Sequence, residues 1–374
     1  MHLTERQLNR ATLDRQLLLR RGRLPAVEGV RRVVALQAQE PPSPYIALWN
    51  RLAAFEAADL DAAFASGAIV KSPLVRMTLH AVVADDYPPF HAAMVSSLRA
   101  ARLYDGRFRD AGLTIADADE LLPRILEFAA APRSKGEIEA LITERFGTPR
   151  PRLWWAYRTY APLHHVPAGP PWSFGSKSRF RAAPSTLPIG QEAAATRHLV
   201  RRYLGGFGPA SVIDVTQFTM LRRPVVREAL VGLGDGISQV EGPGGAELFD
   251  IAGASIPRGD EPAPSRLLPM WDSILLAYAD RSRIIPPEYR RRIILQNGDT
   301  LPTLLVDGQV AGVWRLLDGA IEASSFHRLT KAEWRGLESE AAALAGFLAA
   351  RDLRAYSRYH HWWSKLEAAE VRVF

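Results

Sequence analysis

Two glutamines separated by one alanine, Gln37-Ala38-Gln39, are the residues of this chain best placed to do chemistry. An amide carries both an acceptor oxygen and a donor nitrogen, so a convergent pair can hold a water molecule. The pair closes the amphipathic run 26–38 and directly precedes Glu40-Pro41-Pro42-Ser43-Pro44. On an α-helix, residues i and i+2 point to different sides, and each proline biases the residue before it away from helix. The helix is therefore expected to fail between Leu36 and Gln39, where the two amides can meet. The same residues also read as a polar helix end whose amides face solvent or cap carbonyls. Glu40 is a neighbouring candidate base, constrained by Pro41.

A second constellation is Arg76-Met77-Thr78-Leu79-His80. In a strand, alternate residues share a face, so Arg76, Thr78 and His80 would point one way and Met77 and Leu79 the other. Three polar side chains in a row suit a phosphate or a sugar, and equally suit the outer face of a half-buried hairpin. Other signals are weaker. His164-His165 and His360-His361 lack the i, i+4 spacing of helical zinc ligands. Gly242-Pro243-Gly244-Gly245 matches no phosphate-binding fingerprint, and Gly175-Ser176-Lys177-Ser178 is no nucleophile elbow. The arginine clusters Arg20-Arg21, Arg31-Arg32, Arg201-Arg202, Arg222-Arg223 and Arg290-Arg291-Arg292 read individually as solvated helix ends. Their recurrence also fits a phosphate track.

The elements that must position these residues come in a repeated order. Helices are expected over 4–21, 26–38 and 44–54, with a short one capped by Asp59. The β-like runs 68–71 and 74–83 follow. Helices and then a hairpin is the order of a winged helix–turn–helix. The order recurs with helices over 85–103, 115–130, 134–146 and 150–160, the third capped by Ser134, and a Gly/Pro/Arg-rich wing over 163–181. A third round has helices over 191–204, 212–221 (capped by Ser211) and 224–233, then strands over 237–241 and 246–251. A proline-rich linker spans 254–265. The remainder is mixed: a hairpin over 304–314 turning at Asp307-Gly308, a strand near 320–326, a helix over 330–350 and an aromatic, basic end. The expected fold is thus mainly α with short β-hairpins, in tandem winged helix–turn–helix units at 1–90, 91–190 and 191–255, with a mixed region over 256–374.

Composition narrows the function classes. At 47% hydrophobic and 23% charged, the chain can bury a globular core. No run is long and apolar enough to span a bilayer, and no signal peptide is legible. Cysteine is absent, which excludes disulfides, thiolate metal sites and a cysteine nucleophile, and fits a cytoplasmic protein. The formal net charge is +7, carried almost wholly by arginine because lysine occurs only at 71, 135, 177, 331 and 365. Guanidinium pairs bidentately with phosphate, so nucleic acid is an admissible partner.

Taken together, several of these stretches resemble the AlkZ/YcaQ family of DNA glycosylases. They are Leu36-Gln37-Ala38-Gln39, Ser43-Pro44-Tyr45-Ile46-Ala47-Leu48-Trp49, Arg76-Met77-Thr78-Leu79-His80, Phe207-Gly208-Pro209-Ala210-Ser211, Leu267-Leu268-Pro269-Met270-Trp271-Asp272 and Val306 to Arg315. The Gln-x-Gln form is that of the AlkZ branch; YcaQ-like members carry Gln-x-Asp. The resemblance covers nearly the whole chain and implies three winged-helix units around a concave, DNA-sized channel. It implies a monofunctional glycosylase, with water as nucleophile, acting on N7-alkylated purines in double-stranded DNA. It also implies unhooking of interstrand crosslinks of the azinomycin B type, in repair and self-resistance. Gln37 and Gln39 map onto the family's catalytic pair. Arg76, Thr78, His80 and the turn Asp307, Gly308 and Gln309 are candidate DNA contacts, the turn reading equally as an internal structural hairpin. No cofactor, metal or membrane is expected, and a monomer suffices. A non-catalytic winged-helix regulator and a protein that sequesters an alkylating drug are the competing readings.

Overall fold

The computed structural model describes residues 2–175, 177–188 and 190–374; Met1, Ser176 and Ile189 lie outside the described residues. The first unit comprises α1 (Glu5–Arg15), α2 (Ala26–Val33), β1 (Leu36–Gln37), α3 (Ser43–Arg51), α4 (Ala57–Ser66), β2 (Ile69–Pro73) and β3 (Leu79–Val83). The second comprises α5 (Tyr87–Leu103), α6 (Gly106–Arg109), α7 (Ile115–Phe128), β4 (Arg133–Ser134), α8 (Lys135–Phe146), α9 (Pro151–Tyr160), β5 (Leu163–Val166) and β6 (Arg179–Ala182). The third has α10 (Glu192–Phe207), α11 (Val212–Thr219), α12 (Arg223–Leu233), β7 (Ile237–Glu241) and β8 (Glu247–Ile251). Then come β9 (Arg266–Leu268), α13 (Arg290–Ile293), β10 (Thr303–Val306), β11 (Gln309–Leu317), β12 (Ala320–Ser325), α14 (Lys331–Ala349) and β13 (Glu370–Val373).

Helices preceding short antiparallel hairpins follow the expected order, and local chemistry explains several boundaries. Thr4, Thr114, Ser134, Ser211 and Thr330 each form a reciprocal capping box with the residue three positions on. Pro224 sits in the first turn of α12, where its missing N–H costs nothing. Asp59 is no cap: α4 begins after Glu56, which makes no side-chain capping bond, and Asp59 lies in the first turn.

Two long-range arrangements depart from a row of separate units. The first and second hairpins join in one six-stranded antiparallel sheet, ordered β1-β3-β2-β5-β6-β4, through pairing of Lys71 with His165. The N-terminal helix is likewise not confined to its own unit. Arg15 on α1 makes a bidentate, buried pair with Asp250 on β8 at 2.5 and 2.7 Å. The C-terminal region forms a five-stranded sheet, β13-β12-β11-β10-β9, covered by α14.

The connection that matters most for the glutamines runs from α3 to the loop after β9. Arg51 Nη1 and Nη2 donate to Asp272 Oδ2 and Oδ1 at 2.8 and 2.7 Å, with both side chains only 1% exposed. Removing one partner of such a pair leaves an uncompensated buried charge. Arg51→Ala is expected to lower stability by about 3–5 kcal/mol, measured as a shift of the urea midpoint. A loss below about 1 kcal/mol, as for an exposed pair, would show that water replaces the guanidinium without penalty.

Candidate active site

Helix α2 stops at Val33, several residues earlier than expected, because Val34 takes a φ of 77° and turns the chain out of the helical path. The following residues run extended. Gln37 pairs with His80 across β1 and β3, and the Ala38 N–H continues the ladder by donating to the Leu79 carbonyl at 2.8 Å. The first glutamine therefore stands on a sheet edge and not on a helix end. Gln37 is buried, whereas Gln39, at the bend just beyond the ladder, is exposed. Thr78 Oγ1 lies 3.3 Å from Gln37 Oε1 and 3.0 Å from the Val75 carbonyl. Its single proton serves both, so the Gln37 carbonyl is only lightly held and can accept from another donor.

The backbone around the pair is fixed from the segment 270–273. Ser273 Oγ donates to the Ala35 carbonyl at 2.9 Å, and Ser43 Oγ reaches the Met270 carbonyl at 3.3 Å and the Tyr356 hydroxyl at 2.8 Å. Glu40 is tied to the C-terminal part of the chain: its Oε1 accepts from Tyr359 Oη at 3.0 Å and from Arg358 Nη2. Burial raises its pKa, against the lowering pull of Arg358 and Tyr359. With that oxygen doubly engaged, Glu40 anchors the loop.

Arg76, Thr78 and His80 do not share one strand face. Strand β3 begins only at Leu79, and Arg76 and Met77 occupy a tight turn with φ of 53° and 58°. The Arg76 guanidinium lies 5.3 Å from the Phe218 ring, and burial lowers its pKa to about 10. His80 is fully buried, and burial, with Arg76 nearby, pulls its pKa down to about 3. It is neutral at physiological pH, donating from Nδ1 to the Thr78 carbonyl at 3.0 Å. His80 is therefore not a cationic phosphate contact.

The turn at Asp307, Gly308 and Gln309 is part of the protein body. Asp307 pairs with Arg6 at 2.9 Å and with Arg10, both on α1, and the Gly308 carbonyl accepts from Asn9 Nδ2 at 2.8 Å. A Cβ on Gly308 would meet Asn9, Arg10 and Leu13 at 2.6–2.7 Å, so α1 packs directly on the turn. Gln309 Nε2 donates to the Arg283 carbonyl at 3.0 Å. Of these candidate DNA contacts, Asp307 and Gly308 fasten the C-terminal sheet to the first helix, and Gln309 ties it to the loop carrying Arg283. Of the arginine clusters, several members are occupied: Arg21 with Glu340, Arg31 with Glu28 and Asp85, and Arg202 with Asp86.

Sequence reasoning placed no lysine near the glutamines, yet the sheet brings one close. Lys71 on β2 faces Ala81, which faces Leu36. It is 4% exposed, with its ammonium 4.5 Å from the Phe174 ring centroid. Burial lowers its pKa to about 8, opposed by the charge of Glu40. Arg51 and Asp272 were also missed as a pair. Pro44, Ala47, Leu48 and Arg51 recur at helical spacing, and that places Arg51 on the buried stripe of α3.

Buried His80 and half-buried His164 and His165 make a pH prediction. His80 and His165 are lowered to about 3 and His164 to about 4, chiefly by burial, from an ordinary value of 6.5. The folded state binds fewer protons than the unfolded one, so this stability is present above pH 6.5 and is lost as pH falls towards about 3. Each such group adds up to about 1.4 kcal/mol per pH unit inside that window. Urea unfolding between pH 7 and pH 4 is expected to show a shallower decline for His80→Gln than for the unaltered chain. Parallel declines would mean that His80 protonates freely in the folded state.

Residues 30–347 match the family model described as DNA glycosylase AlkZ-like. The interstrand DNA cross-link repair glycosylase of Streptomyces sahachiroi is 25% identical over 363 residues, covering 92% of this chain and 96% of that protein. The solved structure of Streptomyces sahachiroi DNA glycosylase AlkZ shares the fold, with a TM-score of 0.81 at 22% identity over 92% of this chain and 96% of that one. A family match across most of the chain, including the Gln-x-Gln edge strand and the segment that holds it, shows that this protein belongs to the AlkZ-like DNA glycosylases.

Proposed function

We propose that this glycosylase hydrolyses the N-glycosidic bond of N7-alkylated purines in duplex DNA, including purines joined in interstrand crosslinks. The observation that carries the reading is the pair Gln37 and Gln39, one buried at a sheet edge and one exposed just beyond it, on a backbone clamped from the far end of the chain. Gln37 Oε1 and Gln39 supply neutral acceptors and donors for a water near C1′ of the sugar. The neighbouring carboxylate, Glu40, is engaged by Arg358 and Tyr359.

A site with neutral amides suits a substrate that is already activated. N7-alkylation puts a formal positive charge on the purine, so the base leaves without a strong general acid. Water then takes its place on C1′ and releases its proton to bulk solvent. An unmodified purine lacks that activation, and the carboxylate beside the glutamines, Glu40, has its Oε1 held by Arg358 and Tyr359. Discrimination then follows from chemistry as well as from shape. A purine tethered to the opposite strand cannot be flipped freely into a closed pocket, and the exposed position of Gln39 fits an approach from the surface of the duplex.

The test is release of N7-methylguanine from a duplex, read as abasic sites. Gln37→Ala and Gln39→Ala are each expected to slow single-turnover excision by about 10²–10³, the loss typical of one preorganised hydrogen-bonding group, while duplex affinity changes little. Wild-type rates in both variants would remove the glutamines from the mechanism. Water as nucleophile makes a second demand. Lys71 is covered and lies beside Phe174, so borohydride is expected to trap no enzyme–DNA adduct. An adduct mapped to Lys71 would replace hydrolysis by amine attack.

A further inference from the structure

We propose that the cleft between α1, the start of α11 and the turn 307–309 is a binding site for a compact organic cation, a protonated amine on an apolar body. The cleft has a volume of about 470 Å³, within the usual range for small-molecule sites, and no residue of the Gln37–Glu40 loop lines it. It is separate from the glutamines, and the inference stands whether or not the chain excises N7-alkylpurines. Its walls are tied together, so the space is preformed. The loop 279–283 is held from three sides. The Ala279 N–H donates to Asp214 Oδ1 at 2.9 Å, and the Arg283 carbonyl accepts from Asn9 Nδ2 at 2.8 Å and from Gln309 Nε2 at 3.0 Å. Asp214 also closes the capping box of α11 with Ser211, and Asp307 pairs with Arg6 and Arg10 on α1. Walls that need no ordering on binding cost a ligand less of its affinity.

The lining selects the ligand. Leu8 and Leu248, both buried, supply an apolar floor and belong to a small hydrophobic cluster with Leu3 and Val240. Ile213, in the first turn of α11, adds an apolar wall that is 47% exposed, so a ligand seated there removes apolar surface from water. The hydrogen-bonding capacity of the cleft is one-sided, because its arginines are occupied. Arg6 is held by Asp307 and by the Gly259 carbonyl at 2.6 Å, and Arg10 by Asp307 and by the Glu261 carbonyl at 2.7 Å. Arg283 donates to the Pro209 carbonyl at 2.9 Å and lies 4.0 Å from the Tyr278 ring centroid. Glu5 and Asp280 line the same cleft as exposed carboxylates, and neither pairs with a cationic side chain among the described residues. Asp280 Oδ1 accepts from the Ser282 N–H at 2.9 Å, which fixes that carboxylate at the mouth. An anion would meet two acids and three guanidiniums already engaged. An ammonium group meets free acceptors at the rim while its apolar body reaches the floor.

Phenethylamine is the ligand to titrate into the full chain by calorimetry, with phenethyl alcohol and phenylacetate as neutral and anionic counterparts of similar size. The amine is expected to saturate a single site with a Kd of about 1 mM or tighter, the alcohol to bind several-fold more weakly, and phenylacetate to give no measurable heat. Asp280→Asn keeps an acceptor for the Ser282 N–H and removes the charge. It is expected to weaken the amine about two- to fivefold, the range of an exposed charge pair, and to leave the alcohol unchanged. Glu338→Gln, an exposed acid on α14 that does not line the cleft, is expected to change neither. Ile213→Trp fills the cleft and is expected to abolish binding of both amine and alcohol. Because a ligand of the folded state raises stability, phenethylamine should raise the urea midpoint of the wild type and not that of Ile213→Trp. If Ile213→Trp does not fold, Asp280→Asn against Glu338→Gln decides. Absence of saturable amine binding would overturn the site, as would equal affinity for the amine and phenylacetate. Wild-type affinity for the amine in Asp280→Asn would overturn it as well.

Discussion

The buried ion pair between Arg51 and Asp272 is the constraint on which the rest of the site depends. Each guanidinium nitrogen that meets Asp272 is within 2.7–2.8 Å of a carboxylate oxygen, and Arg51 Nη1 also reaches the Ala47 carbonyl at 3.1 Å. Asp272 Oδ1 in turn accepts from the Ile274 N–H at 3.2 Å. A pair so far from water is favourable only when its remaining donors and acceptors are filled, and these largely are. On either side of it, Ser43 and Ser273 make their own bonds between the glutamine loop and the 270–273 segment. The ion pair sets the distance between the two segments, and the serine bonds set the path of the loop. Trp271 accepts a φ of 55° to allow this, so backbone strain is part of the cost of holding the site.

What could be read from the sequence was mostly local. The capping boxes at Ser134, Ser211 and Thr330 place helix starts because the cap and its partner lie three residues apart. The Asp307-Gly308 turn was legible for the same reason, since both residues take the positive φ that such a turn requires. Its surroundings were not legible: Arg6 and Arg10 lie about three hundred residues away along the chain, and no periodicity links them to Asp307. The glutamines were identified, but their setting was misjudged. Helical periodicity through Leu36 outweighed the break at Val34, and a strand of two residues has no pattern of its own. Alternation failed at Arg76 for a related reason, because it assumes extended backbone and the chain turns there. Lys71 and Glu40 show the limit most clearly: their proximity comes from strand pairing and loop closure, neither of which is written in spacing.

The charge distribution near the glutamines follows one logic. On the hairpins, His80 is buried and His165 half-buried, both neutral, and Lys71 lies over an aromatic ring. The one acid in the loop is engaged by an arginine and a tyrosine. The Arg76 guanidinium, in the turn before β3, has two buried nitrogens without a hydrogen-bond partner among the described residues. The groups beside the glutamines are thus neutral or already paired, and the amides meet little competing charge.

The tie between Glu40 and Tyr359 has a consequence for how this protein is made. Residues separated by 319 positions must meet before the loop carrying Gln39 is secured. A chain interrupted short of Tyr359 leaves its glutamine loop without an anchor on that side. During synthesis the early part therefore emerges as an incomplete tool. A loop tied to a residue 319 positions further on is secured only after that residue has been made.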